Sequence, residues 1–323
     1  MSGRDRISRE YQRFSREFAR GVSDIYADLT EGASTSASIL DFLETLPEPK
    51  RQPNLLLAAV KYHFGVPDSF ARFETLVRDA RDQLRDTMMA RATQTNEPAR
   101  CAALLPALAQ IKGPLALLEV GASAGLCLLP DKYGYRYGDH RLGSDTVEFP
   151  CVANAATPLP SHLPDIAWRR GIDLNPLDAG SSADLAWLDA LIWPGQEARS
   201  DRFRAAAEIA RRDPPTVVSG DLLTDLEGHA RRAPTGATLV IFHTTVLMYV
   251  PDLADRLRFA EMVHDLGATW IMNEDALLFP DIAALAPPPP GPGRLLMSID
   301  GKPVAWTQPH GQSINWFGGC TLS

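Results

Sequence analysis

Cysteine is scarce in this sequence: Cys101, Cys127, Cys151 and Cys320 lie far apart, with no C-x-x-C pair. Such scatter weighs against a disulfide framework or a thiolate metal site and reads as free thiols in a reducing compartment. Long apolar runs are missing too. No stretch approaches the ~20 apolar residues of a membrane span, and the start M-S-G-R-D-R-I-S-R-E-Y carries no apolar h-region. The expectation is a cytoplasmic protein with no membrane partner. Positive charge is in deficit, with 32 Lys and Arg against 40 Asp and Glu and a net charge of −8. That balance weighs against a nucleic-acid partner. His63, His140, His162, His229 and His264 show no ligand spacing with cysteine or carboxylates, so no metal is expected.

What is present is an ordinary globular composition over 323 residues, 45% apolar and 22% charged, enough for one large domain or two modest ones. Residues 1–94 read as a helical module. Ile7, Tyr11, Phe14, Phe18, Val22, Ile25 and Leu29 recur at steps of three and four, the pattern of one long amphipathic helix. Helices are expected over Ser38–Leu46, Pro53–Phe64 and from a Ser69 cap to about Ala92. Such a module could cover the mouth of a site in the second part as a lid.

Residues 95–323 alternate strand and helix. In Q-T-N-E-P-A-R, Asn96 suits an N-cap and Pro98 a first turn, with the helix running to Ile111. Asn96, Glu97 and Arg100 then form either a capped helix with a surface charge pair or a polar group beside the next feature. That feature is L-A-L-L-E-V-G-A-S-A-G over 115–125: a buried strand, then five small residues that let a ligand approach the backbone. A hairpin inserted at about 131–155 follows, with Tyr133, Tyr135 and Tyr137 alternating. Further strands are expected at Ile166–Ile172, Thr216–Asp221, Ala237–Phe242 and Ala268–Met272. A strand pair follows at Arg294–Ile299 and Val304–Gln308 around Asp300-Gly301, and a last strand at Ser313–Phe317. Polar residues stand at the strand ends: Glu119, Asp173, Asp221, His243 and Asn273-Glu274-Asp275. In open α/β sheets, ligands bind outside those ends.

Three chemistries fit the glycine turn. G-A-S-A-G satisfies G-x-S-x-G, the nucleophile elbow of α/β-hydrolases, with Ser123, Asp275 and His310 in a usable order. No H-G-G-G loop precedes it, however, and the serine falls on the first strand. A nicotinamide fingerprint needs glycines where Ser123 and Leu126 stand. The third is methyl transfer. L-L-E-V-G-A-S-A-G resembles the first motif of class I S-adenosylmethionine-dependent methyltransferases. That resemblance implies a Rossmann-like α/β fold, a mostly parallel sheet with an antiparallel terminal strand, beside the N-terminal all-α module. It also implies that Gly121, Ala122, Ser123 and Gly125 line S-adenosylmethionine, with Glu119 beneath. Asp173 would grip the ribose, Asp221 and Leu222 would lie near the adenine, and His243-Thr244 where cofactor and substrate meet. Ala122 and Ser123-Ala124 depart from the richer glycine pattern.

The chain also resembles an uncharacterised bacterial family, domain of unknown function 2332. The resembling stretches are Q-T-N-E-P-A-R-C at 94–101, L-E-V-G-A-S-A-G-L at 118–126, R-G-I-D-L-N-P-L at 170–177 and V-V-S-G-D ending at Asp221. The family carries no assigned activity, and its N-E-P-x-x-R pattern brings Asn96, Glu97 and Arg100 forward as a substrate side, joined by Asp275 from the end of the fifth strand. The expected acceptor is a small molecule. His243 is the first candidate general base because an unperturbed imidazole titrates near pH 6.5; its other reading is a hydrogen bond within the sheet edge. Glu274 and Asp275 are the second candidates, with helix capping as their other reading. A methyltransferase-like binding module without turnover fits the same residues.

Overall fold

The computed structural model describes residues 3–319; Cys320, read above as a free thiol, lies outside them. The chain divides into two compact units. One comprises residues up to Thr95 together with Ser182–Asp201, and the other Asn96–Ser181 with Arg202 onward.

The first unit is helical. Its opening amphipathic stretch is not one helix. Gly3–Arg13 passes into a π-helical turn at Phe14–Ala19, and a new helix begins at Asp24 and ends at Ala33. Gly21, at φ 81°, turns the chain between them. The pattern expected from Ser69 also breaks, into Phe70–Asp79 and Arg81–Ala90. Pro53–Phe64 forms as expected, with proline at its first turn and Gly65 closing it. Ser182–Asp201 belongs with this unit because Lys61 Nζ donates to the carbonyls of Asp189 and Ile192 and Trp187 Nε1 to that of Ala92. Arg91 and Asp184 pair at 2.5 Å. These are tertiary bonds that helix periodicity does not encode.

The second unit is built on a nine-stranded sheet. Its strands are β1 (Leu115–Val120), β5 (Val152–Ala153), β6 (Ile166–Asp173), β7 (Val217–Ser219), β8 (Thr238–Thr244), β9 (Thr269–Glu274), β10 (Leu295–Ile299), β11 (Lys302–Thr307) and β12 (Ser313–Trp316). The order is β5-β12-β11-β10-β9-β8-β1-β6-β7. The run β9-β8-β1-β6-β7 is parallel. Beyond it lies more than one antiparallel terminal strand: β10, β11 and β12 form an antiparallel meander, and β5 returns to pair with β12. The fold is therefore mixed α/β with a large, mostly parallel sheet and an N-terminal helical region.

Every residue of β1 is buried. A strand flanked on both sides and covered on both faces reads as a continuous apolar run. Leu118 and Val120 join Ile172, Ile241, Phe259, Trp270 and Met272 in one core cluster. Each such side chain contributes roughly 1.5–3 kcal/mol by leaving water. The chain leaves β1 toward β6 and β7, then returns to β8 on the other flank. The order thus reverses at β1, and a crevice for ligand opens at such a switch point. No α-helix follows the glycine turn. A short 3-10 turn, Leu126–Leu128, leads into a separate sheet of β2 (Gly134–Tyr137), β3 (His140–Gly143) and β4 (Glu148–Pro150). Three strands stand where a hairpin was expected. Tyr133, Tyr135 and Tyr137 are buried there, donating to the carbonyls of Leu126, Pro130 and Ala102.

Candidate functional site

The turn after β1 is tight because its own backbone closes it. Gly121 N–H and Ala122 N–H donate to the Ile172 carbonyl, Ser123 N–H to Asp173 Oδ2 at 2.8 Å, and Gly125 N–H to the Ala122 carbonyl. Gly121, Ser123 and Gly125 all take positive φ, at 71°, 53° and 74°. A Cβ on Gly121 would fall 2.3 Å from Val246, and one on Gly125 2.8 Å from Pro215. The alanine at 122 also has a physical reason. Its methyl occupies the space that Gly171 of β6 leaves open, where a Cβ would lie 2.4 Å away. Asp173 closes the other side, its Oδ1 accepting from Asn175 N–H.

Above the ends of β1, β8 and β9 the structure gathers the N-E-P-A-R stretch with three strand-end residues. The helix there is Arg100–Leu108, not one capped by Asn96. Residues 97–100 form a turn instead, with Arg100 N–H donating to the Glu97 carbonyl. Glu97 and Arg100 are both buried, which overturns the surface-pair reading. Arg100 Nη1 donates to the carbonyl and Oγ1 of Thr244 at 3.1 and 3.0 Å, and Nε to the Pro309 carbonyl at 2.9 Å. Gly311, at φ 74°, presses this loop onto the turn; a Cβ there would meet the Ala99 carbonyl at 2.0 Å. His310 Nδ1 stands 3.6 Å from Glu97 Oε2.

Burial pulls the Arg100 guanidinium down from its ordinary pKa, against the fields of Cys127, Glu97, Glu274 and Glu119. Burial likewise pushes the Glu119 carboxyl well above its usual range; Cys127 and Asp173 add to the shift and Arg100 opposes it. Glu119 Oε2 and Glu274 Oε2 are enclosed without a hydrogen-bond partner, as is Asn96 Nδ2. Glu274 Oε1 is heavily engaged, accepting from His243 Nδ1 at 2.7 Å, Val246 N–H at 2.8 Å and Leu247 N–H at 3.2 Å.

His243 is fully buried. Trp270 Nε1 donates to its Nε2 at 2.9 Å. Indole nitrogen is a donor only, so Nε2 is the acceptor and the proton sits on Nδ1, pointed at Glu274. Both ring nitrogens are thereby committed, and the imidazole orients the Glu274 carboxylate.

Other sequence candidates are engaged with partners of their own. Asp221 turns Oδ1 to Leu223 N–H, and Leu222 packs on the apolar core. Asp275 is exposed and caps the 3-10 turn Ala276–Leu278 through Leu277 N–H. Trp270 carries no polar signal in its strand and was not anticipated. Cys127, whose thiol donates to the Glu97 carbonyl at 3.3 Å, was not anticipated either.

No helix among the described residues is long and apolar enough to cross a membrane. No curated protein and no solved structure matches the chain. One family does, over residues 8–316, and it is described as an uncharacterized protein conserved in bacteria. A match across nearly the whole chain makes this protein a member of that family, DUF2332.

Proposed function

We propose that this chain is an S-adenosylmethionine-dependent methyltransferase acting on a small molecule. The supporting observation is the character of the glycine turn. Pyrophosphate sites work by aiming unpaired backbone N–H groups at anionic oxygens. Here the amides of Gly121, Ala122, Ser123 and Gly125 all point to internal acceptors, and Glu119 and Asp173 stand beside them. Such a turn repels a dianionic phosphate and suits a cofactor that has none and carries positive charge.

The residues fit that group on chemistry. The unpartnered Glu119 Oε2 would take an ammonium, and the second lone pairs of Asp173 would take ribose hydroxyls. Asn96 Nδ2 and Arg100 would take a carboxylate. S-adenosylmethionine supplies an electrophilic methyl on positively charged sulfur. The protein's share is to hold acceptor and methyl in line, since positioning dominates such a barrier. Glu274, oriented by His243, is the group with a free carboxylate oxygen to receive an acceptor proton; His243 acts as a positioning residue.

The serine-hydrolase reading has less support. Asp275 is committed as a cap and His310 faces Glu97. A binding module without turnover shares the whole arrangement and predicts ligand binding without product. The test of the cofactor site is Asp173→Asn, which keeps an acceptor for the turn. S-adenosylhomocysteine affinity is expected to fall at least tenfold, about 1.4 kcal/mol, with the fold retained. Unchanged affinity would remove Asp173 from the site.

A further inference from the structure

The charge at the end of the sheet is unbalanced. Arg100 feels Glu97, Glu119 and Glu274, yet its Nε and Nη1 go to Pro309 and Thr244. Among the described residues it forms a direct ion pair with none of the three. Glu119 and Glu274 are both more than nine-tenths buried, and each keeps one enclosed carboxylate oxygen without a donor. A buried ionised oxygen without a partner costs several kcal/mol, so Glu274 Oε2 calls for a donor that is also a cation.

The rim has a different character. β8 and β9 run parallel, with Thr244 opposite Asn273, so the segments that follow them emerge side by side. The amides of Val246 and Leu247 are anchored on Glu274. Directly beyond them, Met248 is 59% and Tyr249 74% exposed, and Leu277 after β9 is 82% exposed. Scattered single apolar residues on a surface need no explanation. These three stand on the segments that leave the sheet beside Glu274, whose Oε2 has no hydrogen-bond partner.

We propose that the acceptor is an amine on an apolar body, bound as its cation. Its ammonium is held by Glu274, and its body lies against Met248, Tyr249 and Leu277. An anionic acceptor would face the Glu274 carboxylate, and a neutral apolar one would leave Glu274 Oε2 unpaired. This assignment rests on the methyltransferase reading, which supplies the need for an acceptor.

The test is calorimetry of the full chain, saturated with S-adenosylhomocysteine, against benzylamine and its neutral analogue benzyl alcohol. The amine is expected to bind at least tenfold more tightly. Glu274→Gln keeps an oxygen for the 246–247 amides and His243 while removing the charge, and it should erase that preference. Tyr249→Ala, at an exposed position, should weaken both ligands several-fold and preserve the ratio between them. Equal affinity of amine and alcohol, or a preference that survives in Glu274→Gln, overturns the proposal. If S-adenosylhomocysteine binds and benzylamine does not, the substrate class fails and the cofactor reading stands. An amine preference abolished by Glu274→Gln, without any S-adenosylhomocysteine binding, supports the amine site and removes the cofactor.

Discussion

Replacing Glu119 by glutamine should change how stability depends on pH. The Glu119 carboxyl is buried at the end of β1, and its pKa lies well above the ordinary 4.5. The folded chain therefore keeps this proton at pH values where the unfolded chain has released it. The stabilisation is complete below about pH 4.5 and is lost as pH rises toward the folded-state value. Within that window each pH unit costs the wild type about 1.4 kcal/mol. Glu119→Gln does not titrate, so the stability of the variant minus that of the wild type should climb by about that amount per unit from pH 5 upward, then level off. Unpaired amide hydrogens on the glutamine could cost a further 1–3 kcal/mol, but that offset is constant and leaves the slope untouched. Urea denaturation of both proteins at matched pH values measures the difference directly. A difference flat from pH 5 to pH 8 would refute the reasoning, because it would mean Glu119 ionises as freely in the folded chain as in the unfolded one.

Other substitutions probe the same site. Gly121→Ala should cost about 2–5 kcal/mol, from roughly 1–2 for the left-handed backbone and 1–3 for the collision with Val246; a loss under 1 kcal/mol in chemical denaturation would contradict the packing described. Trp270→Phe removes the donor to His243 Nε2 and should cost about 1–3 kcal/mol. Nitrogen NMR of the wild-type imidazole should report a neutral ring protonated on Nδ1, and a proton on Nε2 would contradict that bond. A fluorophosphonate probe should leave Ser123 unlabelled, whereas stoichiometric labelling would revive the hydrolase alternative.

The sheet was legible where its residues are apolar and continuous. Leu115–Val120 is buried along its whole length, and Ile166–Asp173 ends at the aspartate the pattern singled out. The meander β10–β12 was visible as three strands, but its place beside β9 depends on pairing that no local pattern carries. The breaks at Phe14–Ala19 and Ala80 leave no mark in the helical periodicity, since the apolar spacing continues across them. At the site, the strand-end acids and the N-E-P-A-R stretch stood out as polar residues in apolar surroundings. Their meeting did not, because Arg100 reaches Thr244 and Pro309 across 144 and 209 positions of chain. The sealing of His243 could not be read either: it depends on Trp270, which in sequence is one more apolar residue of a strand.

An acid-lined glycine turn of this kind should hold a cationic, phosphate-free cofactor. Calorimetric titration of the purified chain with S-adenosylmethionine and S-adenosylhomocysteine, with NAD as control, tests it most directly. Micromolar binding of the first two, about 8 kcal/mol, and none of NAD is expected. Binding of NAD in their place, or of none of the three by a well-folded sample, would contradict it.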